Sequence, residues 1–131
     1  MRVKRQLAVA LLASTLAAPA LAGPRVDYML QCRGCHGPDG AGIPNAAPSL
    51  RQLTALLRMP QGRAYLIGVP GVSRSELDDA ATAALLNWIV ANLADERIAG
   101  AVAPFTTAEV SAHRRPALLN PAAERARVLA P

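Results

Sequence analysis

Large aromatic side chains are scarce in this chain of 131 residues, which contains one Phe, one Trp and two Tyr, or 3% aromatic residues. Strands are typically rich in β-branched and aromatic residues that alternate with polar ones, and the sequence has little of that pattern. The scarcity therefore argues against a β-sheet fold. It also leaves few bulky groups from which a hydrophobic core could be built.

Cysteine and histidine are equally scarce, at two residues each. Both cysteines lie in one motif, Cys32-Arg-Gly-Cys35-His36, so none is left for a structural disulfide. A zinc site would need two further ligands at suitable spacing, but the other histidine, His113, lies far along the chain. A thioredoxin-like redox motif would need a βαβ setting, which this sequence does not provide.

The motif CxxCH is the attachment sequence of a c-type haem. Two thiols three positions apart lie on one helical turn, so Cys32 and Cys35 can each add to one vinyl group of the same porphyrin. The imidazole of His36 is then carried beneath the ring as an axial ligand of the iron. One motif predicts one covalently attached haem c per chain. Because this haem would supply the bulk that the core lacks, we expect the apoprotein to be poorly folded.

The first 22 residues have the pattern of a bacterial secretory signal peptide. Arg2, Lys4 and Arg5 form a basic start, residues 7–16 form an apolar stretch that is short for a membrane span, and Ala20-Leu21-Ala22 resembles a cleavage site. An uncleaved N-terminal anchor is the alternative. Both interpretations place the domain outside the cytoplasm, and cleavage would leave a periplasmic protein without a membrane span.

Removal of this leader changes the charge balance. The whole chain has 14 Lys and Arg against 9 Asp and Glu, and three of these cations lie in residues 1–22, so the remainder has 11 against 9 and a net charge of +2. Two haem propionates would bring the holoprotein close to neutral. The composition therefore gives no support for a nucleic-acid partner.

The remaining chain is predicted to form a haem domain over residues 23–96 and a partly ordered C-terminal extension over residues 97–131. Pro24 suits the first turn of a helix that leads into the CxxCH motif. The other predicted elements are a Gly- and Pro-rich loop over 37–48, short helices over 52–58 and 62–67, and a helix over 78–93 with Asp78 as N-cap and an apolar stripe that includes Leu85, Trp88 and Ile89.

In this order of parts the chain resembles the small bacterial class I cytochromes c, over about residues 24–94. The resemblance rests on the short helix before Cys32, the Gly/Pro loop, the minor helices and a C-terminal helix that contains Trp88. It implies an all-α cytochrome c fold with three to five short helices around one covalently bound haem. It also implies that the Pro48 carbonyl accepts a hydrogen bond from the His36 ring and that Leu50 packs near the porphyrin.

The chain departs from this family at the sixth iron ligand. The family's methionine lies shortly before the C-terminal helix, where this chain has Val69, which cannot ligate iron. Met59, followed by Pro60, is one alternative, although methionine is more often a core residue. Met29 lies on the helix before the motif, where its geometry is unsuitable. Otherwise the iron is five-coordinate, or bound by water or another side chain, such as His113 if the extension folds over the site.

These observations predict a periplasmic monohaem cytochrome c that carries single electrons and is not an enzyme. By analogy, its partners would be periplasmic redox proteins, namely a dehydrogenase donor and an oxidase or reductase acceptor. The alternative is a haem protein with an open or weakly ligated iron, acting as a small-ligand sensor or peroxidase-like enzyme. Against it, no second histidine lies between residues 36 and 93 to act as acid or base. The extension either wraps the domain or docks a partner, which could be a larger complex.

Overall fold

The computed structural model describes residues 23–95, 98 and 100–131, and the predicted signal peptide lies outside this part of the chain. The described residues form eight helices and no strand, which confirms the all-α prediction. Their only β pairing is an isolated bridge between Ile43 and Ala47. None of the helices in the described ranges is both long enough and apolar enough to cross a membrane.

The helices are short, and proline or a capping side chain sets most of their first turns. Proline occupies the first position of four of them, where its missing N–H leaves no bond unmade. Asp78, Thr106 and Asn120 each cap the helix that follows by accepting a hydrogen bond from a backbone N–H three residues on. The elements are α1 (Pro24–Gln31), α2 (Arg33–His36), α3 (Thr54–Leu57), α4 (Pro60–Gly68), α5 (Pro70–Ser73), α6 (Asp79–Asn92), α7 (Thr107–His113) and α8 (Pro121–Leu129).

The prediction of three to five helices was wrong in number, because helical segments are interrupted and because the extension is itself helical. Cys32, at φ −123°, separates α1 from α2. Val69, at φ −60° and ψ 142°, separates α4 from α5, since the residue before a proline avoids the helical conformation. The extension adds α7 and α8.

The core lies where α1 packs on α6 and where α3 packs on α4. Tyr28 of α1 is 2% exposed and its ring lies 5.3 Å from that of the half-buried Trp88. On α6, Leu85 and Ile89 of the predicted apolar stripe are buried. The α3–α4 contact depends on Gly62, where a Cβ would lie 2.1 Å from the Leu56 carbonyl oxygen.

The C-terminal extension packs against the rest of the fold instead of lying loosely beside it. Helix α7 contacts α4 and α6, and α8 contacts α3 and α4. The Arg114 side chain is 6% exposed and donates hydrogen bonds to Asp79 at 3.1 Å and to the Ser75 carbonyl at 2.7 Å. In return, the Ser73 hydroxyl donates to the Arg114 carbonyl. A buried arginine that satisfies several acceptors on α5, α6 and the segment between them fixes the position of the extension.

A second arginine joins the start of the extension to α4. Arg63 donates to both carboxylate oxygens of Glu109, each at 2.6 Å, and to the Ala103 carbonyl at 2.8 Å. Its guanidinium also lies 4.0 Å from the centroid of the buried Phe105 ring. The hydrogen bonds from Arg63 lower the pKa of Glu109 despite partial burial, and the positive charge of Arg63 adds to this effect. The extension is therefore held by two arginines, one from each side of the contact.

Candidate cofactor site

The helices and the loop after His36 line a partly open cavity of about 850 Å³ whose lining is largely apolar, a size typical of sites for small molecules and cofactors. We call its first side the motif wall and its second side the helical wall. The motif wall comprises Gln31, Cys32, Cys35, His36, Ala41 and residues 43–50. The helical wall comprises Leu53, Tyr65, Leu66, Val69, Gly71, Val72, Leu86, Ile89, Val90, Phe105, Pro121, Ala122 and Arg125.

The two cysteines lie on one turn of the motif wall. The backbone N–H groups of Cys35 and His36 both donate to the Cys32 carbonyl, at 3.2 and 3.0 Å. Both thiols are free, with Cys32 half-buried and Cys35 exposed. Burial, helped by the charges of Asp27 and Cys35, raises the pKa of the Cys32 thiol to about 11. Without a bound group, this thiol is thus protonated at neutral pH.

The His36 ring is oriented by the loop that follows it. Its Nδ1 atom lies 2.9 Å from the Pro48 carbonyl oxygen. Since a carbonyl can only accept, Nδ1 carries the proton and Nε2 keeps its lone pair. A donor bond of this kind fixes the ring and strengthens the other nitrogen as a metal ligand. The structure thus shows the His36–Pro48 hydrogen bond that the resemblance implied, and Leu50 lines the same cavity.

Short-range bonds hold this loop in place around His36. The Gly42 N–H donates to the His36 carbonyl at 3.0 Å, and the Ile43 N–H donates to the Ala47 carbonyl at 2.9 Å. Gly42 has φ +80°, and a Cβ there would lie 2.4 Å from the Ala47 oxygen, so this position requires glycine. The Tyr28 hydroxyl donates to the Gly37 carbonyl at 2.6 Å, which ties the end of the motif to α1.

The candidates for a sixth ligand do not reach this cavity. Val69 lines it, whereas Met59 does not; Met59 is the half-buried N-cap of α4 and packs against the core. Met29 is 48% exposed on α1, and His113 is exposed in the last turn of α7. Among the described residues, His36 is the only histidine that lines the cavity, and no methionine does.

Two polar residues of the helical wall were missed by sequence reasoning. Tyr65 of α4 is 6% exposed, and Arg125 reaches the cavity from α8. Neither side chain makes a hydrogen bond or ion pair with any described residue. A buried tyrosine in a predicted helix was a detectable core candidate. For Arg125 the sequence contains no signal, because its position depends on how the extension packs.

No protein-family model matches the chain, and no solved structure matches it. One cytochrome c-552 from Thermus thermophilus is 33% identical over 127 residues, which cover 82% of this chain and 84% of the relative. A second cytochrome c-552 from Thermus thermophilus is 34% identical over 99 residues, covering 61% of this chain and 76% of the relative. The chain belongs to the small c-type cytochromes. This confirms the resemblance seen in the sequence, and with it a covalently bound haem c.

The cavity of this c-type cytochrome fits such a haem. Two unpaired thiols and an imidazole with its Nδ1 proton engaged meet on one wall. Most of the remaining lining is aliphatic, as suits a flat apolar ring. Tyr65 and Arg125 add two polar groups that have no partner among the described residues. The donor set and the shape therefore agree with the family assignment.

Proposed function

We propose that this c-type cytochrome is a periplasmic one-electron carrier, in which Cys32 and Cys35 attach the haem and His36 is its axial ligand. The observation that carries the proposal is the meeting of these three side chains on one wall of a cavity of about 850 Å³, with the His36 ring already oriented by Pro48. The two cytochrome c-552 relatives support it. When bound, the haem supplies a ferrous/ferric couple.

The chain's own residues keep that couple reversible. The largely aliphatic helical wall would limit the contact of a bound haem with water on that side, and solvent access is one of the factors that set the potential of a haem. The Pro48 carbonyl accepts a hydrogen bond from Nδ1 of His36, so Nε2 would be held in one orientation as the nitrogen offered to the iron. The backbone bonds of the loop after His36 restrict its movement further. Little structural change should accompany gain or loss of an electron.

The motif wall also provides the surface for electron exchange. Cys35 and residues 43–46 are exposed although they line the cavity, so an edge of the haem would be accessible there. A brief contact over a small area is typical of redox partners. We propose a periplasmic dehydrogenase as donor and an oxidase or reductase as acceptor, with the chain itself carrying no enzymatic activity.

Expression of the full chain in cells that mature c-type cytochromes tests this proposal. We expect a coloured periplasmic protein whose mass equals the chain without residues 1–22 plus one haem, and a reversible one-electron wave in voltammetry. The double variant Cys32→Ala/Cys35→Ala should contain no covalent haem. It should also lose much of its helical circular dichroism, because the cavity is unfilled. A colourless wild-type protein with the mass of bare polypeptide would contradict the proposal.

A further inference from the structure

The chain contains few side chains of the kind that bind haem iron firmly. It has two cysteines, two histidines and three methionines. The proposed attachment uses both cysteines and His36, and Met1 lies in the predicted leader, outside the described residues. Met29, Met59 and His113 therefore remain as soft or nitrogen ligands for the second side of the iron.

The structure holds each of these three away from the cavity. The Met59 N–H donates to the Leu56 carbonyl at 3.3 Å and the Met59 carbonyl accepts from the Arg63 N–H at 3.0 Å, so its backbone is tied into the start of α4. Arg63 is in turn fixed by Glu109. Met29 and His113 are exposed on α1 and α7. None of the three side chains lines the cavity in the structure.

The helical wall has aliphatic groups where such a ligand would be expected. Val69 lines the cavity at the break between α4 and α5, and Leu66 and Val72, three positions before and after it, line the cavity as well. The polar residues of this wall are Arg125 on α8 and Tyr65, and Tyr65 lies one turn before Val69 on α4 and is a buried residue whose hydroxyl has no hydrogen-bond partner among the described residues. The hydroxyl of a buried tyrosine usually has one. This hydroxyl is not fully enclosed, since the Thr82 hydroxyl is the one enclosed side-chain polar atom without a partner among the described residues, so it is available to donate to a group bound in the cavity that Tyr65 lines.

We propose that the sixth coordination position of the iron is filled by no methionine or histidine of this chain and binds a small exogenous ligand, to which the Tyr65 hydroxyl donates a hydrogen bond. The ligand class is a neutral diatomic such as carbon monoxide or nitric oxide on ferrous iron, or a small anion such as cyanide on ferric iron. Binding forms one iron–ligand bond, displaces at most one water molecule and moves no electron. This inference rests on the haem attachment of the proposed function.

The exposed part of the motif wall gives such a ligand a route. Ile43 is 48% exposed, and its neighbours Pro44 and Asn45 are exposed as well, yet all three line the cavity. The cavity is therefore open to solvent along this edge, where the rim of a bound haem would lie, and a small molecule would enter past that rim.

Spectroscopy of the holoprotein tests the proposal, after its mass has shown that haem is attached. We expect a high-spin ferric spectrum without the weak far-red band of methionine ligation, and binding of carbon monoxide to the reduced protein within the mixing time. Met59→Leu, Met29→Leu and His113→Ala should leave both results unchanged. Tyr65→Phe should speed cyanide dissociation from the ferric protein roughly two- to tenfold, the range that one net hydrogen bond supplies.

Each other outcome overturns a defined part of the proposal. A low-spin ferric spectrum that becomes high-spin in Met59→Leu would make Met59 the ligand. Phenolate is a weak-field ligand that can leave ferric iron high-spin, so a phenolate-to-iron charge-transfer band that disappears in Tyr65→Phe would make the phenol the ligand. An open iron whose cyanide dissociation is unchanged in Tyr65→Phe would remove the role given to Tyr65. A protein without covalent haem would instead overturn the proposed function, and its mass identifies that case before any ligand is added.

Discussion

The two walls of the cavity are built in different ways. The motif wall comes from residues 31–50, and its fixing bonds are local, as between His36 and Pro48, twelve positions apart. The helical wall comes from segments between Leu53 and Arg125. Contacts such as Arg63–Glu109, 46 positions apart, hold it together. The residues proposed to attach and orient the haem thus lie in one short stretch, whereas the wall opposite them depends on how distant segments pack.

Val69→Met should have the largest effect on the difference between the two walls, because it places a potential iron ligand on the helical wall, which has no methionine or histidine among its described residues. We expect the ferric spectrum to become low-spin, the far-red band to appear and carbon monoxide binding to slow. The reduction potential should rise, since methionine favours ferrous iron. The rise should be on the order of 100 mV, within the roughly 0.8 V that axial ligands span.

Val69→Leu is the matched control, since leucine is close to methionine in bulk but has no sulfur. It should leave the spectrum and the potential close to those of the wild type. If Val69→Met also left the spectrum and the potential unchanged, position 69 would not face the iron. The equivalence between Val69 and the family's methionine position would then be wrong, although the protein could still have an open iron.

Arg114→Ala breaks the attachment of the extension to α6. The substitution removes a buried cation and leaves Asp79 and the Ser75 carbonyl without their donor. We expect a loss of about 3 kcal/mol in the free energy of unfolding, as for other ion pairs with a buried member, measured by urea denaturation of the holoprotein. The neighbouring Arg115 is exposed, so Arg115→Ala should change stability by less than about 0.5 kcal/mol. Equal stabilities of the two variants would show that the extension is only loosely attached.

The sequence predicted the motif wall well because its determinants are local. The spacing of CxxCH, the glycines and prolines after it and the N-cap Asp78 each act within a few residues. The structure shows Asp78 accepting a hydrogen bond from the Ala81 N–H at 2.7 Å, as a cap should. The prediction that haem is attached through Cys32 and Cys35 stays a prediction, although the structure places both thiols at the cavity.

The extension could not be predicted in the same way. Its mixture of Ala, Pro and Arg is typical of a solvated terminal segment, and nothing near Arg114 in the sequence indicates that it is buried. Its partners Asp79 and Ser75 lie 35 and 39 positions earlier. For the same reason the contribution of Arg125 to the cavity is visible only in the folded chain. Long-range contacts decide these positions, and composition does not record them.

Acid should weaken the remaining attachment of the extension through Glu109. Hydrogen bonds from Arg63 lower the pKa of this carboxyl in the folded state. Its contribution to the free energy of unfolding is therefore fully present above the pKa of the unfolded state, which is about 4.3. This contribution is lost as the pH falls through the lowered pKa of the folded state.

At pH 7, Glu109→Gln should cost about 1 kcal/mol of unfolding free energy, and the difference in stability between this variant and the wild type should narrow below pH 4. Glu124 is the control, because it pairs with the exposed Arg127 within one helix. That pair lowers the pKa of Glu124 in the same direction, but it is local and ends on an exposed arginine, so Glu124→Gln should change stability less than Glu109→Gln does at pH 7. Parallel pH profiles for wild type and Glu109→Gln would mean that Arg63 holds the extension through the Ala103 carbonyl and Phe105 instead, so that the helical wall would be insensitive to pH.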